Sequence, residues 1–383
     1  MKSSPTSQKK TSPLLKNFAH VKDPRMEGKK LHPLSSIIAT AILAVLCGAD
    51  TWNEIEDFGH IRKKWLSTFL DLPHGIPSHD TFNRVFAALD PDAFALGFTK
   101  WTASIGKAIG GVIAIDGKTV RRSHGGIGEN AIHMVSAWSQ ANHLILGQEK
   151  VNAKSNEITA IPELLDQLYL VGAIVTIDAM GCQRDIAQKI VKKGGNYVLA
   201  VKENQKSLYE DIVDTYSQAI LTGYADIIHD TNTTRGTGHG RIEVRYHTVV
   251  TDPDVLQWIQ KKHQWPGLQA IGMVESHRTV GDNTSQERRY YILSSPLDAK
   301  EFGFSVRSHW GIENSVHWVL DMAFREDESR KRLGNAAENF STIRRLVINL
   351  IRQHPRKGMG IRSRRFIAGL DPEGYMLELL QSV

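Results

Sequence analysis

The spacing of hydrophobic positions changes character at about residue 110. From His32 to about Ser104 it is helical, with apolar residues returning every three to four positions. Leu34–Cys47 is a nearly unbroken apolar run, and Thr51–Phe58, Ile61–Leu70 and Ser78–Leu89 follow as amphipathic helices. Asp50 and Ser78, or His79 with Asp80, stand where N-caps are wanted. Trp52, Phe58, Trp65, Phe69, Phe82 and Phe86 are assigned to the core of this helical region, with Arg62, Lys63, Lys64 and Arg84 between them.

Beyond Gly110 the apolar runs become short and β-branched. Gly111–Ile115, Ala131–Trp138 and His143–Val151 are predicted as three successive strands. A helix over Asn156–Leu170, a strand at Ala173–Ile177, a helix over Cys182–Lys193 and a strand at Asn196–Val201 complete the pattern. The order β-β-β-α-β-α-β predicts an α/β fold with a mixed five-stranded sheet flanked by helices. From Lys202 to Leu297 the rhythm breaks. After a helix over Ser207–Leu221, the strand-like Arg241–Val250, Leu268–His277 and Arg288–Leu293 are expected to form a β-rich insertion. Lys300–Phe324 and Gly334–Gln353 are again helical, separated by the charged Glu326–Arg332 and followed by the basic Pro355–Arg365. The expected organisation is a basic arm (1–30), either a solvated tail or a DNA-tracking segment, a helical domain that suits DNA binding or a structural cap (31–106), the first part of a catalytic core (107–202), the insertion (203–299), and closing core helices with a basic tail (300–383).

Two of the strands deliver an acid at the same place. Val112–Ile115 runs into Asp116, and Ile174–Ile177 runs into Asp178. If the first strand is central, both carboxylates reach one edge of the sheet. That arrangement suits a hard divalent cation, which takes carboxylate oxygens together with substrate oxygens. A third acid is needed, and Glu313 in Arg307–Asp321 is the leading candidate. On a helical wheel Ile312, Val316, Val319 and Leu320 form the apolar stripe, with His309, Glu313 and His317 along its edge. An edge carboxylate paired with a histidine is the plain alternative; a zinc site is weaker, because the spacing is not HExxH. Glu326 and Asp327 are fallback acids.

Charge and composition narrow the partners. The 383 residues carry a formal net charge of +6, which makes a polyanion plausible without proving one. Cys47 and Cys182 fit neither a zinc spacing nor a disulfide framework, so a reducing compartment is expected. The Lys-rich first thirty residues lack the apolar core of a secretory signal. Leu34–Ala49 is too short to span a membrane. Thr237–Arg241 contains no Gly-Lys-Ser/Thr and is expected to be a hairpin turn, not a phosphate loop.

Read together, these motifs carry a resemblance. DPRMEGKKLHPLSSII, GIPSHDTFNRVFAALDP, AIDGKTVRRS, KSNEITAIPELL, TIDAMGCQ, NYVLAVKENQ, HGRIEVR and HWGIENSVHWVLDMAFREDESRKR run in order through the chain. The sequence resembles the DDE transposases of bacterial insertion sequences, in the group that includes the H-repeat-associated proteins. The resemblance implies an RNase H-like core with Asp116, Asp178 and Glu313 as acidic triad and as ligands of Mg²⁺ or Mn²⁺, two ions being expected. It further implies cleavage at the element ends, transfer of a 3′-hydroxyl into target DNA, and a homo-oligomer assembled on the terminal inverted repeats. A cytoplasmic, nucleoid-associated location without membrane contact follows. Relatives carry a Tyr, Arg, Glu and Lys signature around the glutamate, whereas Val306, His309, Glu313 and Leu320 stand here. Phosphate contacts are therefore expected from Lys118, Arg121, Arg122, Lys202, Arg241, Arg245, Arg307, His309, Arg330 and Arg332. Trp310 and Trp318 are assigned to core packing ahead of base stacking. A DNA-binding remnant or regulator without catalysis, and a structure-selective nuclease on the same fold, are the alternatives.

Overall fold

The computed structural model describes residues 13–106, 110–124, 130–152, 156–238, 240–355, 358–372 and 374–381. Residues 1–12 of the basic arm, Lys154 and Ser155, His239 of the Thr237–Arg241 turn, and Arg356 and Lys357 of the tail lie outside them.

The helices start where the sequence supplies caps. Thr51 and Glu54 form a reciprocal capping box at the helix Trp52–Ile61, Ser78 caps His79–Ala88, and Asp90 with Pro91 opens Pro91–Ile105. These helices and Leu34–Leu46 pack around the almost wholly buried helix Ala336–Gln353, whose Asn339 also donates to the Phe86 and Leu89 carbonyls. One hydrophobic cluster runs from Leu14 through Ile42, Phe86 and Phe98 to Phe340, Leu346 and Met376, so both ends of the chain share a core.

The strands are β1 (Gly111–Thr119), β2 (His133–Ser139), β3 (Leu144–Val151), β4 (Ala173–Ile177), β5 (Asn196–Val201), β6 (His229–Gly238), β7 (Arg241–Val250), β8 (Ala270–Val280) and β9 (Asn283–Leu293). They form one sheet in the order β3-β2-β1-β4-β5-β9-β8-β7-β6. The expected five-stranded sheet with a separate insertion is therefore corrected: the four later strands extend the same sheet to nine. The physical reason lies at β5. Its Val198–Val201 run pairs antiparallel with Tyr290–Leu293 of β9, so an apolar strand that would otherwise present an open edge is covered on both sides. β6 was absent from the predicted strands because DTNTTRGTG has no apolar alternation and is almost wholly exposed.

β1 is central to the five-strand part, antiparallel to β2 and parallel to β4. The helices Glu157–Gln167, Arg184–Lys192 and Lys206–Leu221 cover one face. The helix Ala299–Ile312 lies across the other, with Phe302 against Val198, Val249 and Tyr291. Among the described residues, no helix is long and apolar enough to cross a membrane.

Candidate metal centre

Strand register brings the two aspartates together. Ala114 of β1 pairs with Thr176 of β4 in parallel register, and Asp116 and Asp178 each lie two residues further along. A period of two places each acid on the face of its register residue, the face crossed by Ala299–Ile312. β1 continues past Asp116, while β4 stops at Ile177 and Asp178 caps a short turn by accepting the backbone N–H groups of Met180 and Gly181 at 3.1 and 3.4 Å.

Glu313 arrives from the helix above. Ala299–Ile312 passes into a π-helical turn at Glu313–His317 and returns to α-helix at Trp318–Phe324. Asp116, Asp178 and Glu313 line a single cleft of about 390 Å³, together with Thr176, Lys202, His309 and Trp310. Within it, ligand atoms of Asp116, Glu313 and His317 all lie within 4.8 Å of one another, with Asp178 outside that tighter trio. His317 Nδ1 is 2.7 Å from Glu313 Oε2 and 3.7 Å from Asp116 Oδ2. The Glu313 side chain is 55% exposed and that of His317 only 6%.

The electrostatics favour a cation. Burial pushes the Asp116 carboxyl up to about 7, and the neighbouring Glu157, Asp178 and Glu313 carboxylates push the same way against the Gly117 N–H, which donates to Oδ1 at 2.9 Å. The three carboxylates outnumber the two cations, Lys202 and Arg289, that line the same cleft, and a hard divalent ion would relieve their mutual repulsion. Burial holds both His309 and His317 toward their neutral forms. His309 Nδ1 lies 3.2 Å from Thr176 Oγ1.

A second, larger cleft of about 840 Å³ continues from the first, sharing Arg289, Tyr291, Val306, Trp310 and Glu313. Its walls carry Arg235, Arg241, Arg245, Arg278, Arg289, Lys300 and Arg307 against three acids, Glu243, Glu287 and Glu313. Alternation along β7 puts Arg241, Glu243 and Arg245 on its inner side and leaves Ile242 exposed.

The remaining predicted contacts are placed differently. Lys118, on the same face as Asp116, is 9% exposed and lies 2.8 and 3.2 Å from Asp321 and Asp327. Arg121 Nε reaches Asp327 at 3.2 Å, and Arg332 Nε donates to the Arg122 carbonyl at 3.2 Å. These residues and the exposed Arg330 border the charged 326–332 segment and line neither cleft. Of the fallback acids, Glu326 is fully buried between Arg344 and Arg345, and Asp327 is engaged by Lys118 and Arg121. The core assignment of two tryptophans is overturned: Trp310 is 46% and Trp318 60% exposed, Trp310 lines both clefts, and Arg289 lies over its ring at 5.6 Å.

Two neighbours escaped the sequence reading. Glu157 approaches through Gly117, where a Cβ would sit 2.2 Å from its Oε1 and 2.3 Å from His133 Nε2. The signal was present in the glycine directly after Asp116. His317 was placed at the helix edge, and no residue pattern announced the π-turn that turns it inward.

Comparison with known proteins fits this geometry. Residues 108–350 match the family model described as "Transposase DDE domain", and residues 15–102 match its associated domain, "DDE_Tnp_1-associated". The chain is 43% identical over 375 residues to "Putative transposase YncI" of Escherichia coli O157:H7, covering 96% of this chain and 94% of that one. It is 39% identical over 373 residues to "H repeat-associated putative transposase YhhI" of Escherichia coli K12, covering 96% and 97%. "Inactive transposase YbfQ" of the same strain is 40% identical over 72 residues, 19% of this chain and 86% of its own. With the family model spanning most of its length and relatives aligned nearly end to end, the chain belongs to the DDE transposase family.

Proposed function

We propose that the protein is an active transposase that cuts DNA at the ends of its element and joins the freed end to a target. The observation that carries this reading is the convergence of Asp116, Asp178 and Glu313, from three elements far apart in sequence, on one cleft that opens into a basic one. In the first reaction a water oxygen attacks the terminal phosphorus, and the element's 3′-oxygen leaves as a hydroxyl. In the second, that hydroxyl attacks a target phosphorus and displaces the target's own 3′-oxygen.

The three carboxylates supply the hard oxygen donors that Mg²⁺ or Mn²⁺ requires, and the convergence of acids described above fits such an ion or a pair. When bound, a metal pair supplies charge stabilisation to the attacking and leaving oxygens. The chain's own part is to hold these carboxylates fixed. Arg241, Arg245, Arg307, Lys202 and the partly buried His309 face the clefts and are proposed to position DNA phosphates. Lys118, Arg121, Arg122, Arg330 and Arg332 lie beside the charged segment, where they brace it and flank the DNA path. Two ends must be held at once for transposition, so a homo-oligomer on the terminal repeats belongs to this reading, as does a cytoplasmic setting beside the chromosome.

The test is incubation of the full chain with DNA bearing the element's terminal repeats and Mg²⁺ or Mn²⁺. Nicking at the repeat ends followed by joining to a second duplex is expected, and Asp116→Asn should abolish both while still shifting DNA. If the native chain shifts DNA and never cuts it, the reading of a DNA-binding regulator replaces this one. If it cuts branched DNA without joining ends, the protein is a structure-selective nuclease.

A further inference from the structure

Resting on the metal-site reading above, we propose that His317 is a positioning residue that holds Glu313 by its Nδ1–H and is not itself a metal ligand. Helices rarely widen to a π-turn, and where they do the distortion usually serves a site. Here the widened turn begins at Glu313 and ends at His317, and its result is a 2.7 Å contact between Nδ1 and Glu313 Oε2.

The other ring nitrogen decides between the two roles. A histidine that ligates a metal through one nitrogen ordinarily donates the N–H of the other to a carboxylate, carbonyl or water. His317 Nε2 is buried and has no hydrogen-bond partner among the described residues. A proton there would be a buried donor left unsatisfied, whereas a proton on Nδ1 has a carboxylate directly before it. The geometry therefore assigns the tautomer with hydrogen on Nδ1, the nitrogen that faces Glu313 and Asp116, and leaves the lone pair on Nε2, which is buried and makes neither of those contacts.

Glu313 needs such a holder. Its side chain is the most exposed of the trio, whereas Asp116 is fixed by a strand and by the Gly117 N–H. A long, exposed glutamate samples many rotamers, and an N–H on one carboxylate oxygen restricts them while leaving the second oxygen free for the cleft.

The experiment is Mn²⁺ binding to the full chain, read from the electron paramagnetic resonance of free Mn²⁺, for the native protein and for His317→Leu, His317→Asn and Asp116→Asn. Thermal unfolding is measured beside it without metal. Leucine, which lacks a donor, is expected to weaken Mn²⁺ binding about 10- to 100-fold. Asparagine places an amide N–H near the position of Nδ1 and is expected to restore binding to within about threefold, the rescue that an outer positioning donor permits. Pulsed measurements on bound Mn²⁺ are expected to show no directly bonded imidazole nitrogen. Native-like binding by the leucine variant overturns the proposal. So does equal loss in the asparagine variant, which also serves as the sole arbiter if the leucine chain fails to fold, and so does a directly bonded nitrogen in the native protein. If the native chain binds no Mn²⁺, or Asp116→Asn binds it as well as the native chain does, the metal-site reading itself fails and takes this inference with it.

Discussion

Glu313 and Glu326 stand thirteen positions apart on one C-terminal segment, and they occupy opposite electrostatic worlds. Glu313 is half exposed and has for neighbours other carboxylates and a histidine that burial holds toward its neutral form. Glu326 is fully buried, with Oε1 at 3.6 Å from Arg344 Nη1, 3.4 Å from Arg345 Nη1 and 3.2 Å from Ser341 Oγ. The first has negative charge to spare and an opening through which something can neutralise it. The second is already neutralised from within. Either acid would serve in a sequence that merely required a third carboxylate, and only the counter-charges distinguish a ligand from a brace.

Exchanging the acids for amides should separate the two most sharply. Glu313→Gln is expected to lower DNA cleavage at least about 10³-fold, since residues acting as one catalytic unit lose most of their effect together. Its folding and its DNA shift should stay near native. Glu326→Gln strands two buried guanidinium groups, and breaking a buried pair in this way destabilises by about 3–5 kcal/mol. A large drop in thermal midpoint is expected, with cleavage proportional to the fraction folded. A stable Glu326→Gln chain that has lost all cleavage would reverse the assignment.

Proton linkage offers the next largest contrast. Burial, chiefly, lifts the Asp116 pKa to about 7, so between its unfolded value near 4 and about 7 the metal-free folded state binds a proton that the unfolded chain releases. The stability that this proton contributes is fully present below about pH 4 and is lost as pH rises through 7. Metal binding has the opposite sign, because the ion requires the carboxylate. Mn²⁺ affinity should therefore climb about tenfold per unit up to pH 7 and level off above it. Asp116→Asn should raise the metal-free thermal midpoint at pH 8 by a few degrees, of the order expected for relief of about 1 kcal/mol. A flat Mn²⁺ affinity between pH 5.5 and 7 would show that Asp116 is ionised throughout and that the crowding of acids is not felt.

The open site was the more legible of the two in sequence. Apolar runs closing on Asp116 and Asp178 state their own meaning, because a strand and its terminal carboxylate are both local features. The link to Glu313 was legible as a helix with a stripe and an edge. What the stripe could not contain was the π-turn, which depends on backbone hydrogen bonding and leaves no residue signature. Nor did the charged Glu326–Arg332 segment announce that Glu326 turns inward, since its partners lie on the helix Ala336–Gln353 and burial is a property of the assembled core. The nine-stranded sheet was hidden for the same reason: the pairing of β9 with β5 joins segments nearly a hundred residues apart, and β6 has no apolar face to betray it.

Lys118 tests whether the brace extends toward the open site. Its ammonium bridges Asp321 and Asp327, and burial keeps the Asp321 pKa raised even against that cation. Lys118→Met should destabilise by about 1–3 kcal/mol at pH 8, where Asp321 is charged and loses its cation while Asp327 keeps only Arg121. The loss should shrink toward pH 4 as Asp321, whose pKa burial raises, takes up a proton. At equal folded fraction, DNA affinity should change less than about twofold, since this lysine already has its counter-ions. A tenfold loss of DNA affinity without loss of stability would move Lys118 from the brace to the binding surface.

The smallest effects belong to the basic cleft, where the charge is spread over many cations and Arg245 and Arg289 already hold Glu243 and Glu287. Arg307 is exposed on the helix that bears Glu313, and Arg241 lies on β7 across the same cleft. Each phosphate contact contributes about 0.9 to the slope of log affinity against log salt. Arg307→Ala and Arg241→Ala should each weaken duplex binding several-fold at low salt and lower that slope by about one, with the double variant losing about two. Arg330→Ala, outside both clefts, serves as the reference, with a change in slope well below one. Equal slopes for all three variants would mean that the DNA does not follow the basic cleft, and that the sheet beyond β5 is present to cover its edge and not to hold the substrate.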